Sequence, residues 1–296
     1  MHVLIVGAGS LGKCMAAFLT EKAFISMYER NPKTRLELKQ GRFILQQENS
    51  IRKINIRSVD TLDKMRGVKL DVLIFATKVK DLSTAVAEAA DLNPRYVLFP
   101  QNGIFGYRWA KRLFKKALIC RGVTTMACKE IGHGRVRLFY QGQLYVGGDG
   151  APFIADLFRK SGLKASAYRS PDGAVWAKLI FSSVMNPLPV WTNGYDALRK
   201  DKEVWRLVRR AVIEGKSTAR ALGIRLVFDP LRLIEMVRKG NLVGIRHRGS
   251  IVHDVKARQE TELDFITGAL IRQARRIGIK TSALDVILAK AKISGA

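Results

Sequence analysis

The first twenty residues restrict the possible folds more than any other stretch. His2-Val3-Leu4-Ile5-Val6 is a short apolar run rich in β-branched residues, the pattern of a strand buried on both faces. Gly7-Ala8-Gly9-Ser10-Leu11-Gly12 follows without a break, and Lys13 to Thr20 then reads as a helix. In a strand, glycine turn and helix of this order the three glycines have separate tasks. Gly7 makes the tight turn, Gly9 lets the backbone approach a pyrophosphate, and Gly12 lets helix and strand pack closely. The helix start at Ser10 and Leu11 offers unsatisfied N–H groups to phosphate. Glu29 closes the next apolar run, Ile25 to Tyr28, about 20 residues on, where a ribose-binding carboxylate is expected. A tight turn in an unrelated α/β domain is the alternative.

A chain of 296 residues can bury a sizeable core, and here it divides into two domains. The expected organisation is α/β: an N-terminal Rossmann-type doubly wound sheet over residues 1–168 and a C-terminal all-helical domain over 169–296, the composition shifting near 165–170. No stretch is long and apolar enough to span a bilayer, and the N-terminus lacks the basic region and apolar core of a signal peptide. A cytoplasmic location is the default expectation. Cys14, Cys120 and Cys128 are too few and scattered for a disulfide framework, and without a C-x-x-C pair no metal site is expected.

The formal net charge is +27. Its clusters, at Lys111 to Lys116, Arg206 to Arg210 and Arg272 to Lys280, are each interleaved with an apolar stripe, which describes solvated helix faces. Weak nonspecific binding to nucleic acid at low salt follows, with no specific nucleic-acid partner and no membrane partner.

Further along, Arg42 to Val59 reads as a hairpin or a pair of edge strands, and Asp71 to Ala76 as a second buried strand ending in Thr77-Lys78. That ending puts Lys78 at the sheet's C-terminal edge, where doubly wound folds hold their ligands. The helix Leu82 to Ala90 and the strand Arg95 to Pro100 follow, the latter ending in Gln101-Asn102-Gly103. Asn102 is either a turn residue tolerating positive φ or a ligand contact. Ala117 to Ala127 continues the sheet, and Arg135 to Tyr140 and Gln143 to Val146 alternate across Gln141-Gly142 as a hairpin does. After Glu29, Arg30 can pair with a 2′-phosphate, whereas Glu29 favours a free 2′-hydroxyl. The balance tips slightly to NADPH, with NADH as the alternative.

Two stripes could carry chemistry. On the helix opening at Pro171-Asp172, Lys178, Ser182 and Asn186 recur every four residues on an otherwise apolar surface. Desolvation there would lower the lysine pKa toward neutrality and suit a proton donor. A lysine snorkelling to solvent is the alternative. Asn186-Pro187 ends this helix, and Asn193-Gly194 makes the turn before the next. Nearer the C-terminus, Ser250, Asp254, Arg258 and Glu262 also repeat every four residues, which on periodicity alone is an exposed ladder of ion pairs. Arg246-His247-Arg248-Gly249-Ser250 ahead of it is a basic turn at a helix start, a possible anion site.

Assembled, these residues resemble the ketopantoate reductases, the NADPH-dependent 2-dehydropantoate 2-reductases of pantothenate and coenzyme A synthesis, over nearly the whole chain. The resemblance rests on the glycine turn, Thr77-Lys78, Asn102-Gly103, Gly122 to Thr125, Trp176 to Lys178 with Asn186-Pro187-Leu188, and Asp254 with Thr261-Glu262. It implies that Lys178 is the general acid and Glu262 holds the substrate. It also implies that Asn102 and Asn186 position cofactor and substrate, and that Ser250 contacts the substrate carboxylate. Asn193 and Ser182 are candidate substrate contacts. The implied site is a cleft between two domains, binding a 2-oxo acid, and a homodimer is allowed. Two positions depart from the family pattern: Ser182 stands where an asparagine is usual, and Arg246 to Arg248 precede Ser250. Extra cations there would suit a more anionic oxo acid.

Overall fold

A computed structural model describes residues 1–48, 50–104, 108–132, 134–192, 194–240, 252, 255 and 261–295. It comprises two compact units, Met1–Gln101 with Phe105–Pro171, and Asn102–Ile104 with Asp172–Ala296. The first runs β1 (His2–Val6), α1 (Ser10–Leu19), β2 (Phe24–Tyr28), α2 (Pro32–Leu38), β3 (Arg42–Gln47), β4 (Ser50–Asn55), β5 (Arg57–Val59), β6 (Leu70–Phe75), α3 (Val79–Glu88), β7 (Pro94–Phe99), β8 (Leu118–Thr124), β9 (Ala127–Gly132), β10 (Arg135–Tyr140), β11 (Leu144–Gly147), α4 (Ala151–Lys160) and β12 (Ala165–Tyr168).

Eight of these strands make one sheet in the order β12-β11-β8-β7-β6-β1-β2-β5. Every pairing in it is parallel except β8 with β11. β1 shows why the sheet is covered on both sides. Its side chains alternate, Val3 and Ile5 packing with Met15, Val72 and Ile74, and Leu4 and Val6 packing with Leu73, Phe75 and Leu82. The chain order reverses at β1, which has β2 on one side and β6 on the other. This is the switch point of a Rossmann-type sheet, and its carboxyl edge is where such folds bind ligands.

The other four strands form a separate sheet, β4-β3-β10-β9, which covers α1 through Phe43, Leu45, Val136 and Leu138. The sequence pattern is misleading here. Arg135 to Tyr140 and Gln143 to Val146 are not a hairpin, because β10 pairs with β9 and β3 whereas β11 pairs with β8 and β12. Nor does Gly122 to Ala127 stay in one sheet, since β8 ends at Thr124 and β9 leaves for the other. The cause is a clasp between Thr125 and Gln143. The Thr125 N–H donates to the Gln143 carbonyl at 3.0 Å, and the Gln143 N–H to Thr125 Oγ1 at 2.9 Å. Gly142, at φ +61, passes so near that a Cβ there would lie 2.6 Å from Met126 N. The expected strand pair at 42–59 is the hairpin β3–β4, with β5 adding to the large sheet.

The regular elements among the described residues of the second unit are helices: α5 (Asp172–Met185), α6 (Leu188–Thr192), α7 (Ala197–Lys200), α8 (Lys202–Ala221), α9 (Pro230–Arg238), α10 (Leu263–Arg276) and α11 (Ser282–Ile293). Asp201 starts α8 by accepting the N–H groups of Glu203 and Val204 at 2.8 and 3.1 Å. Glu214, from within α8, reaches the start of α11 and accepts from Ala283 and Leu284 at 2.8 and 3.0 Å. Gly215 is the close-approach point, since a Cβ there would lie 2.9 Å from Ile180 on α5 and 3.3 Å from Leu270 on α10. No helix among the described residues is long and apolar enough to cross a membrane.

Candidate active site

In the first unit a cavity of about 490 Å³ opens at the switch point, lined by Gly7, Gly9, Tyr28, Glu29, Arg30 and Lys78 among others. Its glycines meet the demands of a dinucleotide. A Cβ on Gly12 would lie 2.1 Å from the Gly7 carbonyl oxygen, and one on Gly7, at φ +103, would lie 2.8 Å from Ala76 C, so both positions require glycine. Gly9 differs, with nothing within 4 Å of the same construction, which leaves its backbone open to an incoming phosphate. The first turn of α1, beginning at Ser10 and Leu11, holds no acidic residue that would repel one. These residues fit a nicotinamide dinucleotide.

The acidic side of the cavity is built from β2 and α3. Glu29 accepts the Ala8 N–H at 2.8 Å and the Asn31 N–H at 2.9 Å, which ties the glycine turn to the end of β2. Arg30 turns toward α3, where Asp81 lies 4.0 Å and Glu88 3.8 Å from its guanidinium. The Tyr28 hydroxyl donates to Glu88 at 3.5 Å. Two further polar atoms at the sheet edge, Thr77 Oγ1 and Gln101 Oε1, are buried without partners among the described residues, although Gln101 Nε2 donates to the Phe75 carbonyl at 2.6 Å. Thr77 and Gln101 fall at strand ends that the sequence already marks, whereas Asp81 and Glu88 do not stand out in it. The available signal for these two carboxylates is position, on the helix between β6 and β7.

In the second unit Lys178 is half-buried on α5, its Nζ 4.9 Å from the centroid of the Phe181 ring. Desolvation by the surrounding apolar side chains lowers its pKa from 10.5 to about 8. Ser182 is 1% exposed, and Asn186 is half-buried where α5 ends.

Glu262 stands at the N-cap of α10. The Thr267 hydroxyl of α10 donates to the Ser183 carbonyl of α5 at 3.0 Å. With Ser183 opposite Thr267, and Ile180 and Leu270 meeting at Gly215, α5 and α10 run antiparallel. Lys178 and Glu262 therefore lie on opposite sides of the Thr267–Ser183 bond, each about 7.5 Å from it along its own helix. Leu263, next to Glu262, clusters with Val190 and Trp191 of α6.

Asn102 belongs to this unit. Gly103 beside it, at φ +85, approaches so closely that a Cβ would lie 2.9 Å from the Phe265 carbonyl oxygen in the first turn of α10. The positive φ of this turn falls on Gly103 and not on Asn102, which removes the turn explanation for the asparagine. Asn102 and Glu262 are thus brought to the same end of α10. Asn193, Ser250, Asp254, Arg258 and Arg246 to Arg248 lie outside the described residues.

The chain matches two family models, Ketopantoate reductase PanE/ApbA over residues 3–149 and Ketopantoate reductase PanE/ApbA C terminal over residues 172–293. A 2-dehydropantoate 2-reductase of Archaeoglobus fulgidus is 25% identical over 294 residues, covering 97% of this chain and 95% of its own. Among solved structures, a ternary complex of D-mandelate dehydrogenase with NADH and anilino(oxo)acetate is similar at a TM-score of 0.86 and 22% identity, covering 100% of this chain and 98% of that one. A dimeric ketopantoate reductase from Staphylococcus aureus is similar at a TM-score of 0.78 and 21% identity, covering 100% and 99%. At these identities the two structures speak for the fold. The two family models together span both units, and the chain belongs to the ketopantoate reductase PanE/ApbA family.

Proposed function

We propose that this chain catalyses the nicotinamide-dependent reduction of 2-dehydropantoate to pantoate, a step of pantothenate and coenzyme A synthesis in the cytoplasm. One observation carries the reading: a lysine on an apolar helix, its pKa lowered to about 8 by burial. It comes in a chain whose other unit has a glycine cradle open at Gly9. Gly7, Gly9, Ser10, Leu11, Gly12, Glu29, Arg30, Lys78 and Asn102 would hold the dinucleotide, which when bound supplies a hydride for the keto carbon. As negative charge develops on the keto oxygen, Lys178 gives that oxygen its proton, an interaction stronger in the transition state than in the ground state. An amine titrating near 8 is mostly protonated at neutral pH and still acidic enough to part with the proton.

Glu262 has a separate task in this scheme. Standing beyond the Thr267–Ser183 bond from Lys178, it holds the far end of the oxo acid. Asn186, Asn193, Ser182 and Ser250 complete the substrate contacts, and a homodimer is the proposed assembly. The test is oxidation of NADPH and NADH by purified protein with 2-dehydropantoate. Lys178→Ala is expected to cost about 10²-fold to 10⁴-fold in turnover, and activity within a few fold of the parent would defeat the assignment. A second reading, a reductase of a more anionic 2-oxo acid, is favoured by Ser182 and by the cations at Arg246 to Arg248. A panel of 2-oxo acids separates the two.

A further inference from the structure

Arg30, directly after β2, could pair with a 2′-phosphate on the adenosine ribose. In the structure its guanidinium is drawn to the opposite wall of the cavity, between Asp81 at 4.0 Å and Glu88 at 3.8 Å, both carried by α3. Glu88 is itself anchored by the Tyr28 hydroxyl at 3.5 Å. Glu29, on the other side, keeps its carboxylate at the glycine turn through the Ala8 and Asn31 N–H groups, at 2.8 and 2.9 Å. The cavity therefore gathers three carboxylates, Glu29, Asp81 and Glu88, against the two cations Arg30 and Lys78.

We infer that Asp81 and Glu88 are specificity-determining residues that engage Arg30 and turn the cofactor preference to NADH. The inference rests on the proposed reading that this cavity takes the adenosine half of a nicotinamide dinucleotide. A ribose hydroxyl can donate a hydrogen bond to Glu29 and is indifferent to the carboxylates on α3. A 2′-phosphate is dianionic near neutral pH. It meets Glu29 directly, and to recruit Arg30 it must compete with two carboxylates already facing that guanidinium. Because Arg30, Asp81 and Glu88 are all partly exposed, with side-chain accessibilities of 49%, 44% and 36%, the effect is electrostatic and screened by salt. It separates the two cofactors without forbidding either.

The experiment is equilibrium titration of the full-length protein with NADH and NADPH, and with adenosine 5′-monophosphate and adenosine 2′,5′-bisphosphate as fragments. The parent is expected to bind NADH about tenfold more tightly than NADPH, a difference of about 1.4 kcal/mol, and the gap should narrow as ionic strength rises. In Asp81→Asn/Glu88→Gln, NADPH and the bisphosphate should gain about tenfold while NADH stays within about threefold, which also reports that the fold is intact. Adding Arg30→Ala to the double variant should remove the gain. If NADPH binding weakens in the double variant, the pair presents Arg30 to a phosphate, and the inference is overturned. An unchanged NADPH to NADH ratio overturns it equally, with the cofactor reading left standing. If the parent binds neither dinucleotide, the reading of the cavity fails and the inference falls with it.

Discussion

Lys178 places a charge where the chain is otherwise apolar, and the cost of doing so can be measured. Its pKa falls from 10.5 to about 8 through desolvation, and at about 1.4 kcal/mol per unit this amounts to about 3 kcal/mol of penalty on the folded, charged form. Contact with the Phe181 ring at 4.9 Å returns some of this, about 0.5–1 kcal/mol, which leaves about 2 kcal/mol. Methionine is close in length, uncharged and adaptable, so Lys178→Met is expected to stabilise the protein by about 2 kcal/mol at pH 7 while abolishing turnover. The sign of the pH dependence follows from the direction of the shift. A lysine with a lowered folded pKa binds fewer protons folded than unfolded between pH 8 and 10.5, so the parent gains stability as pH rises through that window. Below it the penalty is fully present, and above it the penalty is gone. Urea unfolding of parent and variant at pH 7 and again near pH 10 reads the difference directly, since every other titrating group cancels. The stability gap should shrink toward zero at the higher pH, and over the same range the parent's turnover should fall as the amine loses its proton. A gap that does not change with pH would mean that Lys178 reaches solvent, and both the energetic argument and the assignment as proton donor would be wrong.

Two other predictions are simpler. Gly12→Ala must accommodate a Cβ built 2.1 Å from the Gly7 carbonyl oxygen and should lower stability by about 3 kcal/mol or prevent folding. Gly9→Ala meets nothing within 4 Å and should fold normally, with weakened dinucleotide binding in a fluorescence titration; equal effects on folding would refute the division of labour between the two glycines. The Cys14 thiol is pushed far above the ordinary range by the hydrogen bond with Cys128 and by burial, and the Cys120 thiol is pushed up to about 12 by burial. Alkylation of the native protein at pH 8 should therefore label neither, and a mass increase of more than one adduct per chain before unfolding would contradict this.

What the sequence made legible was governed by local pattern. The strand of Val3 to Val6, the glycine turn and the acidic residue closing β2 follow from period-two burial and from turn chemistry, both readable within a few residues. The apolar helix around Lys178 was equally plain. The two-sheet crossing was not. Arg135 to Val146 alternates as a hairpin would, yet its arms separate because Thr125 and Gln143 bind each other. That contact joins residues far apart in the chain and leaves no periodic trace. Glu262 illustrates a subtler point: a helix start at Leu263 makes it a cap, and four-residue spacing alone cannot tell a helix face from a terminus.

The acidic wall of the cavity escaped for a third reason. Asp81 and Glu88 sit seven positions apart on α3, a pattern indistinguishable from any solvated helix surface. Their relevance appears only when β2 is laid beside β1 and α3 beyond β6, so that Arg30 finds them within 4.0 Å. A motif-based reading assigns the arginine by its place after the strand and takes its charge as available. The fold decides whether that charge is already engaged. On the proposal made above, cofactor choice would be a property of the neighbouring helix as much as of the strand end, and only substitutions on both can separate the two contributions.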